Sequence, residues 1–119
     1  MSLHLDLQTR IEAHYGRRLS EGVGLRQDAL LLRFDNGLVV ELRFASADEY
    51  AIAWLWGDAE RRIDTAPLHP ALRTQPNHLH GSDGRLHDDP LTVPGAAPWD
   101  NVRRVIDALL VDPLLADDA

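Results

Sequence analysis

Hydrophobic positions alternate along the chain with two different periods. Leu3, Leu7, Ile11 and Tyr15 recur every four residues, the spacing of one helical face, with Ser2 or Asp6 as the starting cap and Gly16 as the stop. Arg17 to Arg26, with Ser20, Gly22 and Gly24, reads as a loop or irregular strand. The period then falls to two. Ala29 to Phe34 and Leu38 to Phe44 are apolar stretches on either side of Asp35-Asn36-Gly37; in the second, Leu38, Val40, Leu42 and Phe44 alternate with Val39, Glu41 and Arg43, and Leu30, Leu32 and Phe34 continue the even set in the first. Asn-Gly supplies the positive φ angles of a tight hairpin, so two antiparallel strands are predicted, even positions toward a core and the charged odd ones toward solvent. Tyr50 to Trp56 is a third strand, with Tyr50, Ile52, Trp54 and Trp56 on one face, and Arg61 to Thr65 a fourth after Gly57-Asp58.

The pattern changes at Ala66. Pro67, Pro70 and Pro76 exclude a helix and a central strand, leaving Asn77 to His80 as a short extended piece and Arg85 to His87 as one that runs back beside it. Pro90 to Pro98 is a linker. Val102, Val105, Ile106, Leu109 and Leu110 then form a helical stripe, opened by Pro98 in the first turn, favoured by Asp100, and closed at Asp112-Pro113. Each buried leucine or valine is worth about 1.5–3 kcal/mol, so this stripe suffices to hold the helix against the sheet, over Leu38, Val40 and Trp54. Residues 113–119 read as a frayed acidic tail. The predicted architecture is one α+β domain over residues 1–119. It is an antiparallel β-meander of four to six strands, with an N-terminal and a C-terminal helix packed on one face.

Composition narrows the chemistry. With 119 residues, 45% of them hydrophobic, the chain suits one globular domain, and no apolar run is long enough to cross a membrane. The first residues lack a basic region followed by an apolar stretch, so no signal peptide is expected and a cytoplasmic location follows. Cysteine is absent, which excludes disulfides, thiolate catalysis and cysteine-based zinc sites. All twelve basic residues are arginine, and the formal charge of −7 opposes non-specific adhesion to nucleic acid. Arg17-Arg18, Arg61-Arg62 and Arg103-Arg104 are the local clusters left for RNA, and Trp54, Trp56 and Tyr50 are either base-stacking rings or part of the core.

Four of the six histidines, His69, His78, His80 and His87, lie between Leu68 and Asp89. On an extended segment His78 and His80 share a side. Two such imidazoles can chelate a divalent metal such as zinc, with His69, Asp83, Asp88 or Asp89 completing the shell for a hydrolase. Without metal, His78 can serve as general acid or base near neutral pH while Arg73 or Arg85 holds a phosphate. The plainer alternative is imidazoles that bond backbone carbonyls beside prolines.

Two motifs carry a resemblance. The first is Asp64-Thr65-Ala66-Pro67-Leu68-His69-Pro70 and the second Pro76-Asn77-His78-Leu79-His80, followed by a proline-bearing linker and a closing helix. In this order they resemble the TumE family, described as the toxin component of bacterial toxin–antitoxin pairs, over about the last two thirds of the chain. Thr65 stands where Asn is usual, Leu68 where the first His is usual, and Asn77 and Leu79 replace His and Lys. His69, His78 and His80 are the histidines that carry over. The resemblance implies growth inhibition and an antitoxin of helix-turn-helix type as partner. RNA is a candidate target for the segment bearing His69, Arg73, His78, His80 and Arg85. A protein-interaction module without enzymatic activity, homodimeric or bound through an open sheet edge, and a metal-dependent hydrolase are the alternatives.

Overall fold

The computed structural model describes residues 3–26, 28–65, 78–80, 86–88 and 91–115. A helix α1 (Leu3–Tyr15) leads through a short 3-10 turn (Gly16–Arg18) into seven strands. These are β1 (Gly24–Arg26), β2 (Ala29–Arg33), β3 (Val39–Phe44), β4 (Tyr50–Trp56), β5 (Ala59–Asp64), β6 (His78–His80) and β7 (Leu86–Asp88), and a helix α2 (Pro98–Val111) closes the chain. The strands form one antiparallel sheet in chain order, with β4 at its centre. The expected meander between two helices is therefore the fold. Its count reaches seven because the Gly24–Arg26 stretch adds an edge strand beside β2.

Alternation decides which face of the sheet is covered. Leu30, Leu32, Val40, Leu42, Phe44, Tyr50, Ile52, Trp54, Ile63 and Leu79 are buried on one face. Leu7, Ile11 and Tyr15 of α1 and Val102, Val105, Ile106 and Leu109 of α2 join them in a single core, and Leu110 packs partly against it. The interdigitated apolar side chains remove most of their surface from water, the main favourable contribution to the fold. The other face, with Leu31, Val39, Glu41, Ala53, Leu55 and Glu60, has no helix of the described residues on it.

Local chemistry explains the joints. The β2–β3 hairpin differs from a two-residue Asn-Gly turn in that Gly37 alone has a positive φ, of 96°. The Gly37 N–H donates to Phe34 O at 3.1 Å and the Phe34 N–H to Leu38 O at 2.9 Å, so the loop has three residues with glycine in the left-handed position. Asn36 contributes its Oδ1, which accepts from the Leu38 N–H at 3.0 Å. Pro98 opens α2, where its missing N–H costs no hydrogen bond, and the helix stops at Asp112 before Pro113. Helix α1 already begins at Leu3, so Asp6 lies inside it and pairs with Arg10 at 3.0 Å instead of capping. Ser2, the other cap, lies outside the described residues.

Polar bonds fasten the helices and the linker. The Tyr15 hydroxyl donates to Asp107 Oδ1 at 2.5 Å and joins α1 to α2. Burial, reinforced by that bond and by the Asp107 charge, raises the hydroxyl's pKa well above the usual tyrosine range. Asn101 is fully buried, and its amide accepts from the Val93 N–H and donates to the Val93 carbonyl, both at 2.9 Å. The expectation of a fraying tail fails for residues 113–115. The Pro113 carbonyl accepts from Trp54 Nε1–H at 2.9 Å, the Leu114 carbonyl accepts from Arg61, and Leu115 packs against the core. Residues 116–119 lie outside the described residues.

Candidate functional site

The site is built by the last strands of the meander. In β5 the alternation turns Ile63 toward the helices and leaves Arg62 on the opposite face, its side chain half exposed. Asp64 stands on the same face as Arg62 but is only 12% exposed, and its Oδ2 lies 2.8 Å from Arg62 Nε. A carboxylate so withdrawn from water needs a charged or hydrogen-bonding partner, and Arg62 supplies one.

β6 continues the ladder. Its register sets Arg62 opposite His80, Ile63 opposite Leu79 and Asp64 opposite His78. Leu79 is buried with Ile63, which assigns positions 78 and 80 to the face of Arg62 and Asp64. β7 adds Asp88 opposite His78 and Leu86 opposite His80. Two cross-strand rows result: Asp64–His78–Asp88 and Arg62–His80–Leu86. Directly opposed residues of an antiparallel pair have Cβ atoms about 4.5–5.5 Å apart. By register, positions 78, 80 and 88 therefore fall in the cross-strand rows that start at Asp64 and Arg62.

Chemically the arrangement suits acid–base work. Histidine is the side chain whose unperturbed pKa lies nearest neutrality, a neighbouring carboxylate can orient an imidazole, and a guanidinium binds phosphate oxygens through two parallel N–H donors. Of the residues singled out in the sequence, His78 and His80 lie at the two ends of the three-residue strand β6, whereas His69, Arg73 and Arg85 lie outside the described residues. Among the described residues no group of three histidine or acidic side chains forms a metal shell.

Other expectations resolve differently. Trp54 is 2% exposed and Tyr50 is buried, its hydroxyl 2.6 Å from Thr92 Oγ1, so neither ring is open to stack a base. Arg61 does not join Arg62 in a surface pair, because it is buried against the Leu114 carbonyl. Arg17, Arg18, Arg103 and Arg104 are exposed, and Arg18 is engaged by Asp35 at 3.2 Å. Arg62 and Asp64 are the members of the site that the motif reading did not put beside the histidines. The signal for them was present only in the alternation of β5, which places both on the face away from Ile63.

No helix among the described residues is long and apolar enough to cross a membrane. Comparison of the chain with protein-family models, with curated proteins and with solved structures gives no match.

Proposed function

We propose that this chain is the toxin-like component of a bacterial toxin–antitoxin pair, acting in the cytoplasm by metal-independent cleavage of RNA at the β5–β6–β7 face. The reading rests on one observation: the register that sets His78 and His80 on one face with Arg62 and Asp64. In such a cleavage one imidazole takes the proton of a ribose 2′-hydroxyl as that oxygen attacks phosphorus. The bond from phosphorus to the 5′-oxygen breaks, and a second, protonated imidazole returns a proton to the leaving oxygen. Arg62 binds the non-bridging phosphate oxygens. With a net charge of −7, attraction to RNA comes from local arginines such as Arg62 and not from the whole surface. The resemblance of the two motifs around His69, His78 and His80 to those of the TumE family is what implies an antitoxin of helix-turn-helix type as the partner.

The test is growth of bacteria that express the chain alone. Wild type is expected to slow growth, and His78→Ala and His80→Ala to relieve the effect while the circular dichroism of the purified proteins stays unchanged. Normal growth with abundant folded wild type would overturn the reading in favour of a non-enzymatic interaction module, for which Leu25, half exposed on the edge strand β1, is the supporting feature. Growth inhibition that requires bound zinc, together with stabilisation of tag-free protein by added metal, would point instead to a hydrolase with His78 and His80 as ligands.

A further inference from the structure

On the face that no helix of the described residues covers, one cross-strand row carries an ordered charge pattern, beside rows that hold Glu41 with Arg62 and Arg43 with Asp64; its arginine, Arg33, also lies 3.6 Å from Glu21 of its own chain. Register aligns Arg33 on β2, Val39 on β3, Leu55 on β4 and Glu60 on β5 in one cross-strand row. Read from β2 to β5 the row is positive, apolar, apolar, negative. Read from the other end it is the inverse. A two-fold axis parallel to the strands and to the plane of the sheet, lying above the open face over the gap between β3 and β4, turns the row onto its own complement. It sets Arg33 of one copy over Glu60 of the other, Val39 over Leu55, and repeats both contacts by symmetry. An isologous interface requires this kind of self-complementary patch.

Shape agrees with charge. Leu55 is 42% exposed, an aliphatic side chain standing on the central strand. Beside it Leu31, Val39, Glu41, Ala53 and Glu60 border a shallow trough of about 210 Å³, where the small Ala53 leaves room. The same two-fold operation brings Leu55 of each copy onto Val39, at the trough of the other. We infer that a second copy of this chain is the occupant of the open face, packed sheet to sheet across β2–β5. Side chains of facing sheets interdigitate at a separation of about 10 Å. Four strands, each about 20 Å long and about 4.8 Å apart, present roughly 400 Å² in projection. A standard interface buries about 800 Å² per partner, so this dimer is a weak, reversible one. β5 belongs to the contact, so the dimer would cover Arg62 and Asp64 and only the monomer would present them beside β6; the mass of the particle tests the dimer without reference to the chemistry proposed for His78 and His80.

Sedimentation equilibrium over roughly 10 µM to 1 mM, a range suited to a small interface, tests the inference. Wild type is expected to rise from the 13.3 kDa monomer toward twice that mass. Leu55→Asp is expected to remain monomeric throughout with unchanged circular dichroism. Arg33→Glu and Glu60→Arg each bring like charges together twice and should weaken the dimer about tenfold, a change of about 1.4 kcal/mol. Arg33→Glu combined with Glu60→Arg restores opposite charges and should return the affinity to within about threefold of wild type. A monomeric wild type at the highest concentration overturns the inference. So does a Leu55→Asp dimer of wild-type strength, or a double variant no tighter than the singles.

Discussion

Both faces of β4 are apolar, Tyr50, Ile52, Trp54 and Trp56 on one and Ala51, Ala53 and Leu55 on the other, and they have different fates. Tyr50, Ile52 and Trp54 are at most 5% exposed, whereas Ala51 and Ala53 are half-buried and Leu55 is 42% exposed. The larger side chains stand on the buried face, but Leu55 shows that apolar character alone does not bring burial. The decision lies in what the rest of the chain supplies: one amphipathic helix before the meander and one after it, both on the same side. The two helices cover one face of the sheet, and no helix of the described residues lies on the other. The uncovered face is also the one on which the β5–β6 register collects Arg62, Asp64, His78 and His80. Stability and the candidate chemistry are thus divided between the two surfaces of one sheet.

Trp54→Ala is the substitution expected to separate the two faces most. It removes the largest fully buried side chain of the core and the Nε1–H that binds the Pro113 carbonyl. Loss of a buried aromatic costs about 3–5 kcal/mol, a large part of the about 5–15 kcal/mol that holds a domain folded. Urea unfolding followed by circular dichroism is expected to show that loss, together with earlier proteolysis at the C-terminus as residues 113–115 come away. A loss below about 1 kcal/mol would mean that the helices do not seal this face.

Tyr15→Phe tests the helix layer alone. The ring stays and packs as before, edge-on to Phe34 at 6.2 Å, while the bond to Asp107 is removed. A hydrogen bond to a charged acceptor contributes about 1.5–3 kcal/mol. The pH dependence distinguishes this loss from a packing defect. Folding raises the pKa of the Tyr15 hydroxyl, so its contribution is complete below the ordinary tyrosine value of about 10 and is lost as pH rises above it, because the unfolded chain ionises first. Wild type is expected to lose stability above about pH 10 more steeply than Tyr15→Phe. Parallel alkaline limbs for the two proteins would contradict the buried, protonated hydroxyl.

Legibility in the sequence follows the same division. The covered face is written as period: the even positions from Leu30 to Trp54 and the stripe from Val102 to Leu109 each announce both their element and their direction. β1 escapes that reading because three residues, Gly24, Leu25 and Arg26, are too few to show a period, and β5 starts earlier than Arg61 because Ala59 and Glu60 carry no strand signal of their own. The docking of 113–115 uses backbone carbonyls, which every residue possesses, so no side-chain pattern reveals it. Asn101 reads as an ordinary polar helix residue, although it is buried and holds both polar groups of Val93. For the candidate site, the H-x-H spacing assigns His78 and His80 to one side of a strand. Their place opposite Asp64 and Arg62 depends on register, which pairs residues fourteen to eighteen positions apart and is not contained in the H-x-H spacing.

The smallest expected effect sharpens the comparison most. Leu55→Ala deletes as much side chain as a leucine-to-alanine change in the core, where such changes cost about 2–5 kcal/mol. At 42% exposure Leu55 buries far less of its surface within the monomer. Measured at low micromolar concentration, where a weak dimer is dissociated, its unfolding free energy should fall by about 0.5 kcal/mol or less, as for a surface position. The same deletion at Leu42, which faces the helices from the neighbouring strand and is fully buried, provides the matched control. A loss at Leu55 approaching that at Leu42 would show that the face opposite the helices is itself sealed within one chain, and would remove the division of labour between the two sides of the sheet.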